Sequence, residues 1–246
     1  MKLEAITVCV GYADFLKETI PFNLPHFDRW VIVTHPTDTD TRELCRRYGI
    51  YCVLTDEIYR DGSEFNKGRA IIRGIDQLAS DGWVVHIDAD IVLPHHTRLA
   101  LDAAHLDEEC LYGCDRVMVK SWEQWHKLKY SGYLQHDYHC RINFPTGYSI
   151  GARWATQEYG YCPIGYFQLW HGTTDLYKGI HSRPYPARHN DAARGDVQHA
   201  LQWDRRKRAL LPELIVVHLE SDPNAKLGAN WKGRTTPKFA APPAGK

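Results

Sequence analysis

The sequence predicts an α/β fold, a mostly parallel central sheet with helices on both faces, followed by a less regular half. Three observations lead there. Short apolar runs rich in Val and Ile alternate with amphipathic segments four times before residue 94, the pattern of strands joined by crossover helices. The run Trp83-Val84-Val85-His86-Ile87 is bounded by Gly82 and lacks polar alternation, as a central strand covered on both faces does. That run leads directly into Asp88-Ala89-Asp90. Asp is disfavoured within strands, whereas ligands of open α/β sheets bind just outside the carboxyl ends of the strands.

Each element follows from its local pattern. Ala5 to Val10 reads as a first strand ending at Gly11-Tyr12, followed by a helix from Ala13 to Ile20. Arg29 to Thr34 is a second strand, and Thr39 to Tyr48 a helix with Asp38 as its N-cap. Tyr51 to Leu54 is a third strand running to Thr55-Asp56. From Phe65 to Leu78 a helix carries Ala70, Ile71, Ile75 and Leu78 on one face. Right-handed crossovers then bring Gly11, Asp56 and Asp88 to one sheet edge.

After Asp90 the rhythm changes. The sequence predicts a short helix from His96 to Ala104, a strand from Cys110 to Lys120 and a helical stretch from Ser121 to Gly132. Tyr133 to Gly160 has no clear period and reads as irregular. Ile164 to His171 is a strand, Asp196 to Arg208 a helix, and Leu214 to His218 a last buried strand. The expectation is one domain over residues 1–246, with a nucleotide-type half at 1–94 and an acceptor-side half at 95–246.

Composition narrows the function classes. The 246 residues are 43% hydrophobic, 24% charged and 12% aromatic, a globular balance. No run reaches the roughly eighteen apolar residues of a membrane span. Met1-Lys2-Leu3-Glu4 passes straight into a strand, without a signal-peptide pattern. Seven cysteines, an odd number without Cys-x-x-Cys, argue against a disulfide framework or a zinc site and suit a reducing cytoplasm. Cys9 and Cys52 sit in apolar runs and read as buried thiols. Net charge is zero, but from His181 onward twelve Lys/Arg face six Asp/Glu, leaving 18 against 24 before it. The two parts carry +6 and −6, and the basic part suits an anionic ligand, from a nucleotide diphosphate to nucleic acid.

Four features in order resemble the GT-A fold glycosyltransferases, in particular the family-2-like nucleotide-sugar transferases. They are the alternating first half, the segment Asn66-Lys67-Gly68-Arg69-Ala70-Ile71-Ile72-Arg73-Gly74-Ile75, the Asp88-Ala89-Asp90 motif, and His218 ending a late strand before Asn230-Trp231-Lys232-Gly233-Arg234. Ile72 departs from the pattern, since Asn often stands there. The resemblance spans nearly the whole chain. It implies a sugar moved from a nucleotide sugar to a hydroxyl acceptor, with UDP as the donor nucleotide, and a closing C-terminal loop.

The residues make chemical sense beside that resemblance. A leaving diphosphate needs its charge screened, and a divalent cation does so as a Lewis acid. Asp90 and His218 are the expected direct ligands, with Asp88 reaching the ribose or a metal-bound water. Carboxylates with one imidazole suit Mn²⁺ or Mg²⁺. Lys67 and Arg69 stand on the donor side, while Lys232 and Arg234 are placed to close on the diphosphate. Tyr12 can stack on the base beside Gly11, and Asp56 can accept from the ribose. Gln168, Trp170 and the aromatic stretch 122–166 are candidates for a sugar platform. Direct displacement also needs a base. Asp196, at a helix start where the dipole holds it ionised, is the candidate, and Asp191 the reserve. Asp196 also resembles the acidic residue opening the acceptor-side helix of inverting family members. The acceptor stays open between saccharide, protein, lipid-linked sugar and modified DNA base, the lipid disfavoured by the lack of a span. A nucleotidyltransferase is the enzymatic alternative, although Cys9-Val10-Gly11-Tyr12-Ala13-Asp14 lacks the Gly-rich loop of that class. A non-catalytic nucleotide-binding module is the other.

Overall fold

A computed structural model describes residues 1–79, 81–135, 144–172, 183–219 and 230–235. The first half folds as the alternation predicts. Strand β1 (Leu3–Val8) leads through Gly11, at φ +69°, into helix α1 (Ala13–Asn23). Strand β2 (Arg29–Thr34) is followed by α2 (Thr39–Tyr48), which Asp38 caps by accepting from the Thr41 amide at 3.0 Å and which Gly49 ends at φ +67°. Then come β3 (Tyr51–Leu54), α3 (Lys67–Ile75) and β4 (Trp83–Ile87). Strand β1 pairs in parallel with β2 and β4, and β2 with β3. Gly74 lets α3 lie close on this sheet, since a Cβ there would stand 2.6 Å from Ile6 Cγ2.

The second half extends the same sheet. Beyond β5 (Ile91–Val92) and α4 (Thr97–Ala103) lie β6 (Leu111–Val119), α5 (Trp122–Lys129), β7 (Ser149–Ile150), β8 (Trp154–Thr156) and β9 (Gly160–Cys162). They are followed by β10 (Phe167–His171), α6 (Gly195–Ala200) and β11 (Arg208–Leu219). The sheet order is β3-β2-β1-β4-β10-β6-β11-β5, with β7 on β6. Strand β10 enters antiparallel between β4 and β6, so β6 and its parallel partner β11 run the same way as β4. The carboxyl ends of β1 to β4, β6 and β11 therefore share one edge. Strands β8 and β9 form a separate hairpin.

Helices cover both faces. Leu16 and Ile20 of α1 and Leu44 and Cys45 of α2 join the core on one face, while Ala70, Ile71 and Ile75 of α3 and Ala200 of α6 join the core on the other. A third cluster packs Trp125 and Leu128 of α5 on Val117, Ile215 and Val217. The last helix and strand differ from the sequence expectation. Helix α6 stops at Ala200, and β11 starts at Arg208, six residues ahead of the predicted strand. Its register shifts between Leu211 and Ile215, across Pro212, which has no amide hydrogen to give the ladder. That break hides the first half of the strand from a periodicity argument. The stretch read as irregular holds the short β7 and β8, with 136–143 outside the described residues. No helix among the described residues is long and apolar enough to cross a membrane.

Two buried histidines make stability depend on pH. Burial pushes His26 down to about 4, helped by His95, Arg98 and His96 and opposed by a backbone bond at Pro94. Burial also takes His199 to about 3, with Arg183 adding to the depression and a backbone bond at Arg183 opposing it. Histidine in the unfolded chain titrates near 6.5, so below that pH the unfolded chain binds protons the folded chain refuses. Stability is thus complete above about 6.5 and falls as pH drops toward the folded values. Between pH 7.5 and 5.5 the expected loss is about 1 to 1.5 kcal/mol per ring, read from urea denaturation. A midpoint that stays put across that window would refute it.

Candidate active site

The turn after β4 and the pairing of β5 build the site. Asp88 is held by its amide, which donates to Tyr166 O at 3.2 Å. Two residues on, β5 lies antiparallel to β11 with Ile91 opposite His218, and the Leu219 amide donates to Asp90 O at 2.9 Å. This register sets the His218 ring against Asp90, with Nε2 to Oδ2 at 3.5 Å. Asp88 turns the other way and pairs with Lys67, the first residue of α3. That helix is capped by Asn66, whose side chain accepts from the Arg69 amide at 3.0 Å and donates to Ala187 O at 2.8 Å.

The electrostatics divide the two aspartates. Burial pushes the Asp88 carboxyl up, and the like charge of Asp90 adds to it against the pull of Lys67 and His218. Burial acts on Asp90 too, but His218, Lys67 and a backbone bond together outweigh it and hold Asp90 below the usual carboxylate range. His86, fully buried under the turn with Nε2 3.6 Å from Asp88 Oδ1, is driven well down by burial and by Lys67 and His199. It is neutral at physiological pH.

Among the described residues no group of three His, Cys, Asp or Glu side chains is close enough to hold a metal, but Asp90 and His218 offer two ligands of the right kind. Asp90 Oδ1 and His218 Nδ1 are buried without a hydrogen-bond partner among the described residues. An ionised carboxylate with an unused, buried oxygen is what a hard divalent cation needs. The donor set fits.

Asp196 lines a cleft together with Lys67, Gly68, Tyr185 and Asp191. Its setting differs from the expectation. Arg194 occupies the cap position without a side-chain cap bond, and Asp196 sits in the first turn of a six-residue helix. Its Oδ2 accepts from the Gly165 amide at 2.7 Å and its Oδ1 from Val197 at 2.7 Å. Burial raises its proton affinity, against those amides and Lys67, so the helix dipole does not dominate as expected. Asp191 caps a turn, accepting from Ala193 at 2.9 Å.

Other predicted residues lie elsewhere. Gln168 and Trp170 are completely buried in β10 beneath the site, so neither can touch a sugar in this arrangement. Alternation along β10 gave no face to solvent, because helices cover both sides. Gln168 instead ties the site down, donating to Pro163 O at 2.8 Å and Asp196 O at 2.9 Å while His199 Nδ1 donates to it at 3.2 Å. Arg69 pairs with Asp61 at 2.9 Å, and exposed Asp56 lies 4.0 Å from Arg60. Lys232 pairs with Glu64 at 3.1 Å. Arg234 folds back on the β1–α1 turn, pairing with Asp14, donating to Gly11 O at 2.8 Å and lying over the Tyr12 ring at 4.7 Å. With 8% of its side chain exposed, Arg234 covers the ring face expected to stack on a base. The Trp231 carbonyl accepts from Ala192 at 2.9 Å, so 230–235 reaches from the Asp191 side of the cleft to the β1 side. Of the closing loop, read from the sequence as Gly228 to Arg234, residues 228 and 229 lie outside the described residues. Sequence reasoning missed Tyr166, Gly165 and Tyr185. Gly165 alone carried a signal, since a Cβ there would stand 3.1 Å from Asp196.

No protein-family model matches the chain, and no curated protein matches it. Among solved structures it is similar to glucosyl-3-phosphoglycerate synthase from Mycobacterium tuberculosis in complex with Mn²⁺, UDP-glucose and phosphoglyceric acid, with 17% identity over 47% of this chain and 44% of that one and a TM-score of 0.38. It is also similar to mannosyl-3-phosphoglycerate synthase from Rubrobacter xylanophilus, with 18% identity over 47% and 40% and a TM-score of 0.37. The chain covers less than half the length of these structures.

Gly68 sets the width of the cleft. A Cβ there would stand 1.9 Å from Pro186 O, backbone against backbone, so the segment carrying Asp191 must move. Gly68→Ala is expected to cost roughly 1–3 kcal/mol by urea unfolding. An unchanged midpoint would mean that the segment is not fixed against α3.

Proposed function

We propose that the chain is a metal-dependent glycosyltransferase moving a sugar from a nucleotide sugar, a UDP-sugar by resemblance of its ordered motifs, to a hydroxyl acceptor. The observation that carries this reading is the Asp90–His218 pair with its unused carboxylate oxygen, beside Asp88, whose partner Lys67 lines a cleft together with the half-buried Asp196. A divalent cation at Asp90 and His218, Mn²⁺ or Mg²⁺, supplies Lewis-acid screening of the charge on the leaving diphosphate. Lys67 neutralises Asp88 and keeps its positive charge within reach of both carboxylates and an incoming phosphate. Asp196 takes the acceptor hydroxyl proton as the oxygen attacks the anomeric carbon, while the bond from that carbon to the diphosphate breaks and its electrons leave with the phosphate. A carboxyl with raised proton affinity is the better base near neutral pH. The amides of Gly165 and Val197 aim it without protonating it.

Two outcomes test the reading. Incubation with nucleotide sugars and Mn²⁺ should release nucleotide diphosphate. EDTA should abolish the release, added Mn²⁺ or Mg²⁺ should restore it, and Asp90→Asn should lower it by roughly a hundredfold or more. Calorimetry showing Mn²⁺–UDP binding unaltered in Asp90→Asn would remove Asp90 from the metal site. The second concerns the base. Asn at 196 keeps one acceptor oxygen for the two amides, so Asp196→Asn should cost only about 1 kcal/mol of stability. Its kcat should fall by roughly a hundredfold or more with donor binding retained. Wild-type turnover in that variant would pass the role to Asp191.

A further inference from the structure

We propose that Arg116 forms an oxyanion socket that holds a phosphate or carboxylate group carried by a small acceptor. Its assignment to the acceptor rests on the glycosyltransferase reading, whereas the socket itself does not. Arg116 lies near the carboxyl end of β6. In the parallel pairing of β6 with β11, Arg116 stands opposite Val216 and Met118 opposite His218. Side chains two apart on a strand share a face. Arg116 and His218 therefore lie on one face of the sheet, on adjacent strands.

The side chain is held in place but lacks an anion. Its guanidinium carbon lies 4.1 Å from the centre of the Tyr166 ring, a stacking that arginine favours. Tyr166 is itself fixed, its hydroxyl donating to Cys114 O and its carbonyl accepting from the Asp88 amide at 3.2 Å. Gly151, just past β7, donates to Arg116 O at 2.9 Å and lies against the arginine stem. A Cβ there would stand 2.7 Å from Arg116 Cγ. Yet Arg116 Nε is buried without a hydrogen-bond partner among the described residues. The adjacent carboxylate is committed elsewhere, since Asp115 accepts two bonds from Arg153, both at 2.6 Å. Ordering a guanidinium and burying one of its donors unpaired is costly. A carboxylate or phosphate answers that cost, because its oxygen pair accepts two parallel bonds from the planar fork.

The strand order says which substrate carries the anion. Gly11, Asp56 and Asp88, the expected donor contacts, follow β1, β3 and β4. Strand β6 lies beyond β4 on the other side, with only β10 between them, roughly 10 Å away. Tyr166 bridges the two places, its carbonyl at Asp88 and its ring under Arg116. The residue before it, Gly165, binds Asp196 at 2.7 Å. An acceptor whose hydroxyl meets Asp196 brings a group a few atoms further along to Arg116. One fixed guanidinium suits a single anionic group, whereas a nucleic-acid strand needs a row of cations.

Inorganic phosphate tests the socket on the full chain. Phosphorus NMR should show it binding the wild-type protein, with affinity lowered roughly tenfold or more in Arg116→Gln. Arg116→Lys, which keeps the charge and loses the fork, should fall between them. Phosphate that does not bind the wild type, or that binds Arg116→Gln equally well, overturns the proposal. The acceptor assignment is read from a matched set, a hexose, its 6-phosphate and its uronate, offered with a UDP-hexose and Mn²⁺. The wild-type KM for a charged member should lie at least about tenfold below that for the hexose, and the better of the two tells phosphate from carboxylate. In Arg116→Gln that ratio should fall toward one while kcat changes less, whereas a merely structural role would harm charged and neutral acceptors alike. Equal use of the neutral hexose by the wild type overturns the assignment. So does transfer to neither charged form despite donor cleavage, or displacement of phosphate by duplex DNA with a steep salt dependence. Failure of the glycosyltransferase reading shows separately, as no diphosphate release from any donor, and the phosphate titration then decides the socket alone.

Discussion

Two carboxylates, Asp88 and Asp90, stand one residue apart at the buried end of a strand, and their mutual repulsion is what the surrounding structure answers. Like charges this close cannot both ionise cheaply away from water. The chain resolves the conflict by giving each its own counter-group from a different direction, Lys67 from the start of α3 and His218 from the end of β11. The Asp88 carboxyl stays high in proton affinity while Asp90 is held low. The asymmetry leaves Asp90 charged with an oxygen unused, which is the property the proposed metal site rests on.

That answer depends on packing far from the carboxylates. Lys67 is aimed by Asn66, which binds both its own helix and Ala187 O. Gly68 and Gly74 let α3 approach the 183–190 segment on one side and the sheet on the other. Trp170, Trp203 and Tyr185 pack around His199, the two tryptophans edge-to-face and Tyr185 tilted. Gln168 passes from that cluster to the Asp196 carbonyl, so Asp196 is held by its backbone and its side chain together. A side chain fixed at both ends keeps its geometry, as the proposed role of Asp196 requires. Tyr185 belongs both to that cluster and to the lining of the cleft that holds Asp196.

Much of the first half was legible residue by residue. Asp38 marks the start of α2 as a capping side chain, and the structure uses it as read, while Gly49 ends the helix in the left-handed region. Gly11, Asp56 and Asp88 reach one edge because parallel pairing follows from alternating strands and helices. In the second half the local signals weaken. Pro212 interrupts the ladder of β11 and hides its first half, and the apolar run of β10 says that it is buried without saying beside which strands.

The sequence by itself determined the α/β class, the alternating elements before residue 94, the Asp-x-Asp turn after β4 and the lateness of His218, because these rest on periodicity, caps and turn residues acting over a few positions. Only the tertiary structure decided that β10 runs antiparallel between β4 and β6, and that Gln168 and Trp170 are core and not a sugar platform. It also decided that Arg234 spends its charge on Asp14 over the Tyr12 ring and that Asp196 binds the amide of Gly165 thirty-one residues away. Each of these is a choice among partners far apart in the chain. Such choices are settled by which surfaces can be buried together and which charges then need one another, and no local pattern records them.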